Sequence, residues 1–448
     1  MNWEKLYEIM PVFLQNIACN VRGIKINRTR YNDDFKKMLH EFLERKSWSY
    51  DDICSYRDER LRKIILHCYE TVPYYRNMFR SLNIYPDEIR DIKDLELLPI
   101  ISKKEINKNP QDFISSKAGD YQCIASHTSG STGAGFKFVT TMESLHSQWA
   151  AYWRLYLRSG INFSLKQGTF SGQMIVPVKQ KKPPYWRYIN SQNRVYFSAY
   201  HENEKNLSYY YDELKRSGIE WISGYPSLIS LLADYIVRNK LPNPGVKFVT
   251  TGAENLYGFQ ETSIRNAFRG AKFGQVYGQA ENVAIITQQS NGDMFIDEDG
   301  AAVELVPNEY GSWDIIGTNL YNYAMPLVRY QTCDTAAYVT DSSQRRKIVS
   351  LDGRKEDYIC LPNGKKLGRI DYAFKDAMHI VESQIYQKKD YSVVIRVVLG
   401  AADGRKEAEK AREWLRAATG NSISISINYV DFIEKTNTHK LRYVVSEI

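Results

Sequence analysis

The chain has 448 residues, which at roughly 100 to 200 residues per domain predicts two to four domains with cores large enough to stand without disulfide or metal staples. Hydrophobic residues make up 43% and charged residues 25%, proportions of an ordinary globular protein that exclude a largely disordered or fibrous chain. Lys plus Arg number 60 against 52 Asp plus Glu, a formal net charge of +8. The excess is spread along the chain without a basic tail, which argues against nucleic acid as a partner and leaves phosphate-bearing small molecules open.

At the start, residues 7–18 form an apolar stretch broken by Glu8 and Pro11 and lacking a basic leader, so no signal peptide is expected. No run of about 18 apolar residues occurs, so no membrane insertion is expected. Residues 1–115 read as mainly helical. Segments 34–44 and 55–70 carry apolar positions three and four apart, such as Leu61, Ile64, Ile65 and Cys68, and Pro73 ends the second helix. Residues 120–350 alternate short β-rich runs with helical ones, for example 247–251, 259–268 and 272–277, which predicts an α/β fold with mostly parallel sheets and packed helices. The polar stretch 340–347 predicts a surface hairpin. In a small α+β unit that follows, the apolar run 393–399 and the Ser/Ile alternation of 422–427 predict strands. Between them 406–418 places Ala408, Ala411, Leu415 and Ala418 on one helix face, with Gly420 as its stop. The predicted division is a large N-terminal domain, 1–352, and a small C-terminal domain, 353–448.

Six cysteines, Cys19, Cys54, Cys68, Cys123, Cys333 and Cys360, lie far apart with no Cys-x-x-Cys pair. That pattern fits neither a zinc site nor a disulfide framework and points to a reducing compartment, hence the cytoplasm. His127, His201, His379 and His439 lack metal-ligand spacing and read as structural or surface residues.

The sharpest local signal is Thr128-Ser129-Gly130-Ser131-Thr132-Gly133-Ala134-Gly135-Phe136-Lys137. Its glycines free the backbone to turn tightly and aim successive N–H groups at one point, and the interleaved hydroxyls add donors for phosphate oxygens. Lys137 adds charge. The spacing is not that of a Walker loop, and taken alone the segment reads equally as a flexible Gly/Ser turn.

Four further segments change that balance: Tyr277-Gly278-Gln279-Ala280-Glu281, the run from Pro326 to Asp334, Gly353-Arg354-Lys355-Glu356-Asp357, and the late Lys440. In order and approximate spacing the five resemble the adenylate-forming superfamily that includes acyl-CoA synthetases and luciferases. The segment Tyr69 to Tyr75, Leu98-Pro99-Ile100 with Lys103, and Gly224-Tyr225-Pro226-Ser227 look like its phenylacetate-CoA ligase branch, and Pro11 to Asn16 is similar to capsular-polysaccharide-associated members. The resemblance covers nearly the whole chain.

It implies a two-step ligase in which a small-molecule carboxylate attacks the α-phosphate of ATP, pyrophosphate leaves, and the acyl-adenylate passes to an acceptor, most often coenzyme A. Charge builds on phosphate in such a step, so fixed cations and dipoles matter more than a covalent nucleophile. By resemblance, Thr128, Ser129, Gly130, Ser131, Thr132, Gly133 and Lys137 would hold the β and γ phosphates, and Glu281 would bind Mg²⁺, a hard cation suited to carboxylate oxygen. Tyr277 and Gly278 would lie along one side of the adenine and Gly252-Ala253-Glu254 along the other. Asp334 would accept from the ribose hydroxyls, and Arg354 would contact ribose or phosphate. Tyr225 and Pro226 would border the acyl pocket. Lys440 would reach the substrate carboxylate and the α-phosphate, with Lys435 as the competing candidate. Each of these residues also has an ordinary structural reading, as a surface charge, a core aromatic or a turn residue.

The family's hinge, which makes its small domain mobile, falls on Glu356, where Asp or Lys is usual. Gly135 stands where Pro is common, Cys333 replaces the glycine before Asp334, and Thr438-His439 replace the Gly/Ser before Lys440. Neither Gly135 nor Cys333 removes a cation or carboxylate that the chemistry needs. The alternatives are transfer to an amine or hydroxyl of a sugar intermediate, a nucleotide-binding protein without catalysis, and a nucleic-acid binder. A homodimer is left open.

Overall fold

The computed structural model describes residues 3–128, 136–203, 205–309, 311–354, 359–363, 366–367, 370–374, 377, 379–435 and 441–448. The helices in chain order are α1 (Trp3–Ile9), α2 (Val12–Arg30), α3 (Asp33–Glu44), α4 (Tyr50–Thr71), α5 (Pro73–Leu82), α6 (Lys103–Lys108), α7 (Met142–Ser159), α8 (Leu207–Arg216), α9 (Pro226–Arg238), α10 (Gly258–Ala267) and α11 (Gly404–Ala418). The chain divides into two compact units. One comprises Met1–Lys25, Ile161–Phe273 and Arg354–Ile448, the other Ile26–Gly160 and Gly274–Gly353.

The first unit holds the parallel pairing that the β/α alternation predicts. Strands Arg194–Ser198, Gln167–Ser171, Trp221–Gly224 and Phe248–Thr251 run parallel in that order, with Trp186–Ile189 antiparallel at the edge. Parallel strands covered on both faces need apolar side chains throughout. Phe170, Val195, Phe197 and Ile222 meet Leu228, Leu232 and Ile236 of α9 in one buried cluster, with the Phe170 and Phe197 rings stacked at 4.7 Å. The same unit carries the small α+β sheet. Val393–Leu399 pairs antiparallel with Ile380–Gln387 and parallel with Ile425–Tyr429, and Val444–Ser446 adds to the other side of Ile380–Gln387. Helix α11 covers it with Ala408, Ala411 and Leu415 fully buried. The strand expected at 422–427 begins three residues later, because Gly420 and Asn421 take positive φ at the end of α11 and residues there are spent closing the helix.

The second unit is built differently. Helices α3 to α7 belong to it, and local chemistry starts them: Asn32 caps α3, Ser49 and Asp52 form a capping box on α4, and Pro73 occupies the first turn of α5. Its sheet pairs antiparallel wherever its register is defined, as between Ala301–Pro307 and Trp313–Asn319, or Met294–Ile296 and Ile285–Gln288. The mostly parallel expectation therefore holds for the first unit's sheet and not for this one. Ala284, Ile286, Val303, Ile315 and Ile348 form its apolar core. A separate hairpin joins Cys123–Thr128 to Phe136–Thr141, with His127 opposite Lys137. No helix among the described residues is long and apolar enough to cross a membrane.

Candidate active site

Two of the motif segments, 277–281 and 330–334, meet inside the second unit. Strand Lys272–Gly278 carries Tyr277 as its penultimate residue and strand Tyr330–Thr340 carries Asp334. The Tyr277 hydroxyl donates to Asp334 Oδ2 at 2.8 Å and accepts from the Gln279 amide. Burial, reinforced by the Asp334 carboxylate, holds the Tyr277 phenol well above its ordinary pKa, so it stays a donor at neutral pH. A Cβ on Gly278 would collide with the Tyr152 hydroxyl, so the backbone after Tyr277 passes α7 only as glycine. Cys333 takes a left-handed φ of 64°. The Asp334 N–H then donates to Thr332 Oγ1 at 3.1 Å, which fixes the carboxylate's backbone.

Glu281 follows on the same segment and is buried. Its Oε1 accepts from the Tyr330 hydroxyl at 3.1 Å. Asn319 Nδ2 donates to the carbonyls of Glu281 and Asn282 at 2.7 and 2.9 Å, and Asn282 Nδ2 donates to Ser144 O at 2.9 Å in the first turn of α7. Gln148 Nε2 adds a bond to Gln279 O at 2.7 Å. These amides tie the segment to a helix and a strand. Burial raises the Glu281 carboxyl; Tyr330 and the Lys103 ammonium oppose the shift and Asp334 adds to it. A buried carboxyl raised in this way gains from a nearby cation.

The first unit gathers a second polar cluster. Glu254 ends the Gly252-Ala253-Glu254 turn, where Ala253 takes a φ of 66°. Its carboxylate accepts from Ser227 N–H at the start of α9 at 3.2 Å and from Leu441 N–H at 3.1 Å. The Glu254 side chain thus binds backbone on both oxygens and ties the residue after Lys440 to α9, a use the sequence did not suggest. Lys435 lies buried against Glu382 at 2.9 Å. Burial alone would lower its pKa, yet Glu382, Glu202 and Glu254 together raise it, so it stays a cation committed to carboxylates. That arrangement disfavours Lys435 as the substrate-reaching lysine. Glu202 is buried, and among the described residues neither of its oxygens is hydrogen-bonded; burial pushes its carboxyl far up. Tyr225 caps α9 partly buried, its phenol pushed up to about 12 by burial, while Pro226 is buried as the first residue of that helix.

Lys137 is exposed on its hairpin strand. Ser129, Gly130, Ser131, Thr132, Gly133, Glu356 and Lys440 lie outside the described residues, as do the side chains of Thr128 and Arg354. Sequence reasoning gave no role to Tyr330, Lys103, Gln148 or Asn319 around Glu281, nor to Glu202 and Glu382 around Lys435. Lys103 and Tyr330 stood inside quoted motifs. The others carry no local signal, because a polar residue's burial depends on what the fold brings against it.

Residues 360–447 match the family model described as the CapK C-terminal domain. Protein CapK of Staphylococcus aureus is 24% identical over 99% of this chain and 99% of its own length. Phenylacetate-coenzyme A ligase of Aromatoleum evansii is 21% identical over 70% of this chain and 73% of its own. Among solved structures, 2-hydroxyisobutyryl-CoA ligase in the postadenylation state, in complex with R3-HIB-AMP, superposes with a TM-score of 0.66 over 90% of this chain and 91% of that one, at 17% identity. The chain is thus similar over its whole length to CapK and over most of it to a phenylacetate-coenzyme A ligase, and it shares the fold of 2-hydroxyisobutyryl-CoA ligase.

Proposed function

We propose that this chain is an AMP-forming acid ligase that joins a carboxylate to the α-phosphate of ATP, releases pyrophosphate and passes the acyl group to a second substrate, coenzyme A in the first reading. The observation that carries it is the Tyr277, Asp334, Glu281 and Tyr330 cluster, in which two motif segments about 50 residues apart are joined by two hydrogen bonds, Tyr277 to Asp334 and Tyr330 to Glu281. Tyr277 presents a ring for the adenine, and its hydroxyl holds Asp334 in position for the ribose. Glu281 is the carboxylate that would hold Mg²⁺, and its buried, raised carboxyl fits a hard cation supplied with few protein ligands. That ion, when bound, neutralises phosphate charge. Lys137 and the hydroxyl-rich segment before it receive the leaving pyrophosphate, and Lys440 meets the α-phosphate and the attacking carboxylate.

Residues 353–448 act as the mobile domain, with Glu356 as its hinge. The free cysteines suit a cytoplasmic setting. A sugar amine or hydroxyl is the alternative acceptor, and what supports it is the resemblance of Pro11 to Asn16 to capsular-polysaccharide-associated members.

The test is carboxylate-dependent exchange of labelled pyrophosphate into ATP across aromatic, aliphatic and amino acids. At least one acid supports exchange, and Lys440→Ala lowers it steeply while sparing transfer from preformed acyl-adenylate. Nucleotide binding without exchange for any acid assigns the chain to the catalytically silent class, and equal loss in both steps removes Lys440 from its role.

A further inference from the structure

Helix α2 has its faces reversed. Phe13, Ile17, Val21 and Ile24 recur at helical spacing along one side, and they are 62%, 54%, 62% and 45% exposed; Leu14 beside them and Ile9 of α1 extend the stripe. The opposite side carries Gln15, Asn16, Cys19, Asn20 and Gly23 with Val12 and Ile26 among them, and it is the side that packs. Gln15, only 2% exposed, accepts from Arg187 Nε at 2.7 Å and donates to the Tyr7 and Met10 carbonyls, both at 3.0 Å. Asn16 Oδ1 accepts from Tyr188 N–H at 3.1 Å, and Asn20 donates to Tyr188 O at 3.1 Å and accepts from Ser191 N–H at 3.0 Å. A Cβ on Gly23 would run into the Ser191 and Ile189 side chains.

This polar zipper onto the edge strand Trp186–Ile189 fixes the helix rotation, so the apolar stripe cannot turn inward. Water against five large apolar side chains in one row is unfavourable, and such a row on a pinned helix marks a surface that something covers. The charge of the helix indicates what. From Val12 to Arg30 it carries Arg22, Lys25, Arg28 and Arg30 and no Asp or Glu. Lys25 and Arg28 border the stripe on helical geometry. A second copy packed with its helix parallel would bring these like charges together, whereas an anionic bilayer takes apolar side chains below its headgroups and cations at their level.

We propose that the exposed face of α2 is a docking surface for an anionic lipid membrane, with the helix lying in the interface plane. The inference is independent of the proposed ligase chemistry. At 1.5 Å per residue the 19-residue helix offers a strip about 28 Å long.

The experiment is co-sedimentation of the full chain with vesicles of phosphatidylcholine alone or of phosphatidylcholine and phosphatidylglycerol in equal parts, at low and high salt. The wild type binds the anionic vesicles about tenfold or more tightly than the neutral ones, and salt weakens it. The F13S/I17S double variant and, separately, Val21→Asp each lose about tenfold in partitioning at unchanged thermal unfolding, and K25Q/R28Q flattens the salt dependence. Failure of the wild type to bind, or equal binding by F13S/I17S, overturns the proposal. A dimer that dissolves in F13S/I17S without any vesicle binding overturns it too and gives the face to a second copy.

Discussion

Glu281 is the residue on which the proposed chemistry turns most directly. Its carboxyl is buried, raised by that burial, and accepts from its own backbone N–H and the Tyr330 phenol, so replacing it by Gln keeps the size and the Tyr330 contact and removes the charge. Glu281→Gln is expected to lower Mg²⁺-dependent turnover by at least about tenfold and to raise the Mg²⁺ concentration needed for half-maximal rate. Initial rates across a magnesium titration check this, and an unchanged half-saturation point removes Glu281 from the metal's reach. At this scale the sequence was legible wherever a motif carried the residue. Tyr277, Asp334 and Glu281 were all singled out, and the fold brings all three into one unit. The supporting amides were not, since Asn282, Asn319 and Gln148 matter through long-range contacts to Ser144, Glu281 and Gln279 that no local spacing encodes.

Elements were legible by periodicity. The stretch 34–44 lies within α3 and 406–418 within α11, because apolar positions three and four apart leave one face to bury. What periodicity hid is how α7 is held. Arg154, on its buried side, donates to Asp297 at 2.6 Å and to Asp299 at 2.8 Å, and Arg45 of the segment after α3 reaches Asp299 at 2.8 Å. Arg57 of α4 and Arg346 add bonds to Glu298 between them. No sequence motif marks the acidic run Asp297-Glu298-Asp299. In the fold it is a buried junction that joins helices α3, α4 and α7 to the start of strand Ala301–Pro307. Removing one partner from such a network strands an opposite charge away from water, which costs about 3–5 kcal/mol. Arg154→Ala is therefore expected to lower unfolding free energy by about that much, read from urea denaturation. A loss below about 1 kcal/mol would mean that the junction is hydrated and works like an exposed pair.

At the scale of the whole chain, the first unit is assembled from three stretches far apart in sequence, and Glu202, Glu254, Glu382 and Lys435 lie where two of them join. Among the described residues, one lysine against three carboxyl groups leaves an imbalance that protonation relieves. Glu202 is the group that takes the proton, since burial raises its carboxyl well above the ordinary range, Glu382 adds to the shift and Lys435 opposes it; the Tyr210 phenol also faces it and stays neutral. The sign follows from linkage. In the unfolded chain Glu202 titrates near pH 4.3, about the ordinary value, so between that value and its raised native value the folded state holds a proton that the unfolded state has lost. Its contribution to stability is complete below the unfolded pKa and is lost as pH rises through the native one. Glu202→Gln, which keeps the shape and carries no titrating proton, is expected to flatten the fall in stability from pH 5 to pH 8. At pH 8 its unfolding free energy should exceed that of the wild type. Burial likewise raises Glu254, Glu281, Asp297 and Glu304, so part of the slope persists in the variant. Urea unfolding of both proteins at the two pH values measures the difference, and parallel pH profiles would show that Glu202 is ionised in the native state and that Lys435 neutralises it.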